Sequence, residues 1–141
     1  MLLNSCSRMF CVELDLIFTR RAAFGFDLHR GFPEATFLEQ DVLQCDGRYD
    51  RVIFNACFGN LFDPLAVLRH VAELLNEGGL VVISHPLGRK WLKGLQQKEP
   101  RMVLHDLPAG EELDQMLATV PLELVSLEDE PEYYCLVLKR R

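Results

Sequence analysis

The sequence predicts an α/β fold, a mostly parallel sheet that closes with a C-terminal antiparallel hairpin. Three observations carry this. Arg51–Ala56 (RVIFNA) and Leu80–Ile83 (LVVI) are apolar runs without helical period, as strands buried on both faces of a sheet read. One amphipathic helix lies between them, and a strand–helix–strand unit places parallel strands in one sheet with a right-handed crossover. Near the C-terminus two β-rich runs adjoin, separated only by a polar break.

The elements follow in chain order. Cys11–Ile17 (CVELDLI) is a candidate strand, and Ala35–Val42 (ATFLEQDV) reads as a short strand that ends in an acid. Asp63-Pro64 supplies an N-cap acid followed by proline at the first helical position. Leu65, Leu68, Val71 or Ala72, and Leu75 recur at helical spacing, with Arg69, His70 and Glu73 on other faces. Gly78-Gly79 is the expected stop, since glycine takes the left-handed cap at no steric cost. Gly110–Val120 reads as a second helix with Leu113, Met116 and Leu117 on its apolar face. Leu122–Leu127 and Tyr133–Lys139 are the hairpin strands, and Asp129-Glu130-Pro131-Glu132 is the break.

Composition bounds the function. A chain of 141 residues is one domain, and 49% hydrophobic with 26% charged residues excludes wholesale disorder. The net charge of −6 excludes a non-specific nucleic-acid coat. No apolar run is long enough for a membrane span, so neither nucleic acid nor membrane is an expected partner. Cys6, Cys11, Cys45, Cys57 and Cys135 form no CxxC pair, which points to reduced thiols. The histidines His29, His70, His85 and His105 have no ligand spacing, so no metal site is expected. Met1–Phe18 begins apolar but is interrupted by Arg8, Glu13 and Asp15, unlike a signal peptide. Arg8, Arg20 and Arg21 fit a transit peptide weakly, and the acids oppose it. The expectation is a soluble intracellular protein of the cytoplasm or an organelle, plastid or mitochondrion included.

Tyr49–Pro86 (YDRVIFNACFGNLFDPLAVLRHVAELLNEGGLVVISHP) resembles the fourth strand, following helix and fifth strand of class I S-adenosylmethionine-dependent methyltransferases. Phe32–Gln44 resembles that family's third strand with its terminal acid, and the closing hairpin its sixth and seventh strands. The resemblance implies a Rossmann-like fold, truncated at its N-terminus relative to the family. Residues 1–141 would form one domain, with 32–139 the family-like core and 1–31 an atypical leading segment. It also implies S-adenosylmethionine as cofactor and methyl transfer to a small molecule. One departure is plain: no GxGxG occurs anywhere, whereas the family cradles the cofactor's amino-acid end on such a loop.

The resemblance assigns positions residue by residue. Asp41 matches the acid that accepts from the adenine amino group, and Val42 the residue whose N–H meets the ring; alternatively Asp41 is a loop acid capping a local turn. Asn55 and Ala56 match the segment passing the methyl donor, where Asn can donate and accept. If Cys11–Ile17 is the family's second strand, Glu13 or Asp15 is the ribose acid. Otherwise that strand fills the vacant central place beside Arg51–Ala56, or the N-terminus belongs to a shortened transcript. Asn55-Ala56-Cys57-Phe58 lacks the prolines of the amine-methylating motif, so DNA and protein-glutamine methylation are not supported. Phe58 packs either on adenine or in the core, and Cys57 is a buried thiol or a nucleophile.

His85, after the fifth strand, is the candidate general base, because its ordinary pKa lies near neutrality; the alternative is a histidine satisfied at a strand end. Leu87–Met102 gathers Arg89, Lys90, Lys93, Lys98 and Arg101 around Trp91. It reads as a wall for an anionic substrate or as a solvated helix with Trp91 turned inward. A rival to the enzyme is a non-catalytic scaffold of the same fold, or a truncated inactive isoform. A nicotinamide-dependent enzyme also needs a glycine-rich loop and accounts less well for the hairpin.

Overall fold

The computed structural model describes the backbone of residues 9–12 and all of residues 41–141. Chain order gives β1 (Met9–Val12), β2 (Tyr49–Asn55), α1 (Pro64–Leu74), β3 (Leu75–His85), α2 (Gly88–Lys98), α3 (Gly110–Thr119), β4 (Leu122–Glu130) and β5 (Tyr133–Arg140). Short 3-10 turns at Val42–Gln44 and Phe58–Asn60 flank β2. The strands make one five-stranded sheet in the order β1-β2-β3-β5-β4. β1, β2 and β3 are parallel, and β5 inserts antiparallel between β3 and β4. The predicted α/β class and the closing hairpin are both present.

The N-terminal strand lies beside β2, with Met9 opposite Arg51 and Val12 opposite Phe54. It stands beside Arg51–Phe54, at the edge of the sheet formed by the described residues. Glu13, Asp15, the rest of the expected strand to Ile17, and Ala35–Gln40 lie outside the described residues. Val42, expected to end a strand, belongs to a 3-10 turn.

α1 begins as its sequence dictates. The Asp63 carboxylate accepts from the Ala66 N–H at 3.0 Å, and Pro64 opens the helix, where a missing N–H costs nothing. Its end differs from expectation. The helix stops at Leu74, and the Leu75 N–H caps the Val71 carbonyl. Leu75 already pairs with Tyr49, whereas the next paired residues are Arg51 and Leu80. Asn76–Gly79 is thus looped out of the ladder, and Gly78 at φ +71° turns that loop, not a helix cap.

Strand periodicity sorts the sheet into two faces. Val52, Phe54, Val81, Ile83, Tyr134, Leu136 and Leu138 are buried in one core with Val67, Leu68 and Val71 of α1 and Leu113, Met116 and Leu117 of α3. The opposite row, Ile53–Val82–Val137, is half-buried, so the central strands alternate and are not sealed on both faces as expected. Val67, Leu68, Val71 and Ala72 of α1, Leu92 of α2, and Leu113, Met116 and Leu117 of α3 all belong to this core. β5 is anchored further by the Tyr134 hydroxyl, which donates to the Pro108 carbonyl at 2.6 Å. Burial pushes the Tyr134 pKa well up, which keeps that donor protonated. No described helix is long and apolar enough to cross a membrane.

The β4–β5 turn, Pro131-Glu132, packs on the first residue of α2. A Cβ at Gly88 would stand 2.9 Å from the Tyr133 nitrogen and 3.0 Å from the Glu130 and Pro131 oxygens, and Gly88 holds φ +73°. Arg89 fastens the same junction, with ion pairs to Asp106 at 2.9 Å and Asp129 at 2.7 Å. Burial disfavours the guanidinium charge, but hydrogen bonds and charge from Asp106 and Asp129 outweigh this and raise its pKa. Gly88→Ala therefore combines a forbidden backbone angle with a backbone clash. It should cost about 3 kcal/mol, read as a lower urea midpoint. An unchanged midpoint would show that the turn does not depend on this contact.

Candidate functional site

Ligands of open α/β sheets bind outside the carboxyl ends of the parallel strands. Here those ends are the tips of β1, β2 and β3, and the last two are tied to each other. The Ala56 N–H donates to the Ser84 carbonyl at 2.8 Å, and the Ser84 hydroxyl to Asn55 Oδ1 at 3.2 Å. Asn55 is exposed and keeps its amide donors toward solvent. Ala56 sits at φ +54°, a left-handed angle that an L-residue adopts at a cost of about 1–2 kcal/mol. That angle turns the chain off the sheet edge and into the core, where Cys57 and Phe58 are buried. Phe58 meets Phe54 edge-on at 5.8 Å, so it is a core residue in this structure.

The segment beyond is held by its own chain. The Gly59 carbonyl accepts from the N–H groups of Leu104 and His105, at 2.8 and 3.0 Å. A Cβ on Gly59 would lie 2.8 Å from the His105 oxygen. The Asn60 side chain donates to the Met102 carbonyl. The glycines near the parallel-strand tips, Gly59 and Gly88, are thus filled by protein backbone.

His85 ends β3 and is 5% exposed. Its Nδ1 accepts from the Leu87 N–H at 3.3 Å, which in the neutral ring places the proton on Nε2. The imidazole lies 5.5 Å from the Trp91 ring in a tilted arrangement. Burial lowers the His85 pKa below its ordinary 6.5. A neutral ring whose one lone pair, on Nδ1, accepts from the Leu87 N–H is a satisfied strand-end histidine. Trp91 itself is 46% exposed, so it is not turned fully inward.

Asp41 occupies a different setting. Its Oδ1 accepts from the Leu43 N–H at 2.9 Å and caps the 3-10 turn, and the residue is exposed. That turn leans on α1, where His70 Nε2 meets the Cys45 carbonyl at 2.8 Å. The structure therefore brings Asn55, Ala56, Ser84, His85 and Trp91 to one strand-tip region, while Asp41 and Val42 sit on the α1-packed turn. Glu13 and Asp15 lie outside the described residues. Ser84 was not singled out by sequence; a lone polar residue closing the apolar run LVVIS was the available signal. Among the described residues no group of three His, Cys, Asp or Glu side chains could hold a metal ion.

Comparison with known proteins agrees with this layout. The family described as "Methyltransferase domain" matches residues 7–127. No curated protein sequence matches. Among solved structures, mitomycin 7-O-methyltransferase (MmcR) superposes with a TM-score of 0.70 at 11% identity, covering 94% of this chain and 41% of that one. Magnesium protoporphyrin IX methyltransferase from Synechocystis PCC 6803, solved with bound SAH, gives 0.53 at 17% identity, covering 89% and 57%. An O-methyltransferase family protein from Burkholderia thailandensis gives 0.64 at 16% identity, covering 93% and 42%. At these identities the likeness shows the fold. The chain spans about two fifths to three fifths of the length of such structures.

Two outcomes test the local physics. Ala56→Gly removes the left-handed strain and should raise stability by about 1 kcal/mol, whereas Ala56→Val should lower it. Denaturant melts of both variants check the sign. Because the folded His85 pKa is depressed, the unfolded chain binds the extra proton first as pH falls below 6.5. This stability contribution is lost below pH 6.5 and levels off under the folded pKa. His85→Gln should flatten that slope in melts taken across pH.

Proposed function

The chain belongs to the methyltransferase-domain family, and from that premise we propose that it binds S-adenosylmethionine at the carboxyl tips of the parallel strands and serves methyl transfer to a small-molecule acceptor. The observation that supports this most is the tied Asn55–Ser84 pair, with an exposed amide at the tip of β2. In this reading the Asn55 amide and the Ala56 turn hold the nucleoside side of the cofactor. Asp41, through its second carboxylate oxygen, and the Val42 N–H recognise adenine. Glu13 or Asp15 meets the ribose.

When bound, the cofactor supplies an electrophilic methyl group on a sulfonium. The protein's task is to align the acceptor and exclude water. His85 is the base in this proposal. To take a proton at Nδ1 it must release the 3.3 Å hydrogen bond from the Leu87 N–H, while the Trp91 ring lies 5.5 Å away. Because burial lowers its pKa, it stays unprotonated to a lower pH than an exposed histidine.

A second reading has its own support. The sequence has no glycine-rich loop, and Gly59 and Gly88 are occupied by the chain's own backbone. Among the described residues, the amino-acid end of the cofactor therefore lacks a glycine cradle. This favours a non-catalytic scaffold of the family, or an inactive shortened form.

Calorimetric titration with S-adenosylmethionine and S-adenosylhomocysteine separates the two. Binding is expected, and Asn55→Ala and Asp41→Ala should each weaken it about tenfold, or about 1.4 kcal/mol. No heat at millimolar ligand would leave the scaffold reading. With an acceptor in hand, the acid limb of the rate profile should fall below pH 6.5 and vanish in His85→Gln. A limb that survives the substitution would remove His85 from the reaction.

A further inference from the structure

The cations of α2 are divided by the helix. Arg89 and Lys93 are neutralised by carboxylates: Arg89 meets Asp106 and Asp129, and Lys93 meets Asp106 at 3.1 Å. Lys90 and Lys98 make no ion pair among the described residues, and both are exposed. They belong to one i, i+4, i+8 strip whose middle member is Gly94. A Cβ at Gly94 would meet nothing within 4 Å, so the helix backbone is bare between the two lysines. The adjacent strip, Leu87–Trp91–Leu95, is apolar at the same spacing, with Leu87 45% and Trp91 46% exposed.

These strips line an open groove of about 730 Å³ whose far wall is the Pro131-Glu132 turn docked on Gly88. That volume lies within the ordinary range for small-ligand sites. The apolar strip offers an indole face to a flat ring, and the cationic strip offers two uncompensated ammonium groups to an anion. Glu132 opposes from the far wall, and Glu130 faces Lys90 and Gly94 across the adjoining hollow. We propose that this groove binds a planar aromatic carboxylate, its ring packed on Trp91 and its carboxylate over Gly94 between Lys90 and Lys98. In the methyl-transfer reading, on which this clause alone rests, such a molecule is the acceptor, and the Trp91 ring that holds it lies 5.5 Å from the His85 imidazole behind it.

The sequence contains a single tryptophan, so intrinsic fluorescence of the full chain reports on the groove itself. The probes are 2-naphthoate and its neutral counterpart 2-naphthamide, with affinities taken by calorimetry. Naphthoate should quench Trp91 saturably and bind at least tenfold more tightly than naphthamide. The double variant Lys90→Gln, Lys98→Gln changes only exposed positions and should erase that preference while circular dichroism stays unchanged. Glu132→Gln should tighten naphthoate by removing a like charge. Equal affinities for the two probes, a preference that survives the double variant, or heat without a change in Trp91 emission would each overturn the proposal. Titration with S-adenosylmethionine is run separately. Cofactor binding without naphthoate binding sinks the groove alone, and naphthoate binding without cofactor binding sinks the proposed function alone.

Discussion

The register between β2 and β3 is the constraint on which the rest depends. Val52 opposite Val81 and Phe54 opposite Ile83 put four core side chains on one face. The same register brings Asn55 level with Ser84, where two hydrogen bonds lock the tips. A slip of one residue would turn Val52 and Phe54 to the half-covered face and separate Asn55 from Ser84. Core and site are therefore selected together. The looped-out Asn76–Gly79 segment is how β3 reaches this register after α1 has ended early.

Backbone packed on backbone then fixes what surrounds the tips. Gly59 admits the 104–105 segment, and Gly88 admits the hairpin turn, each at separations no side chain would allow. In a chain without a glycine-rich cofactor loop, glycine at this edge closes the domain on itself. The walls of the edge are thereby rigid, and α2 is pinned at its start by the hairpin and at its flank by Arg89. Trp91 and His85 owe their mutual placement to that pinning.

Much of the fold was legible because its signals are local. Asp63-Pro64 starts a helix within four residues of sequence, and the high β-propensity of YYCLVLK marks a strand wherever it goes. The end of α1 was misread because Gly78-Gly79 carries the same signature in a cap and in a looped-out bulge; the pairing of Leu75 with Tyr49 decides between them, and pairing is not local. The both-faces-buried reading of RVIFNA failed for a similar reason, since burial depends on what covers each face. At the site, Asn55 and His85 were visible as polar residues ending apolar runs. The Arg89–Asp106–Asp129 cluster was not, because its members lie 17 and 40 positions apart and no spacing rule joins them. Asp41 illustrates the intermediate case: a capping acid and a ligand acid share one residue type, and its two oxygens can serve both.

The strand order has a consequence for biosynthesis. β5 follows β4 in the chain, yet it fills the slot between β3 and β4. While a ribosome still holds residues 133–140, β3 presents an unfilled edge and β4 lacks its strand partner. The turn that walls the α2 groove does not exist until β5 arrives. The sheet is therefore continuous only once β5 has emerged, and a stop codon ahead of Tyr133 takes out an inner strand, not an edge.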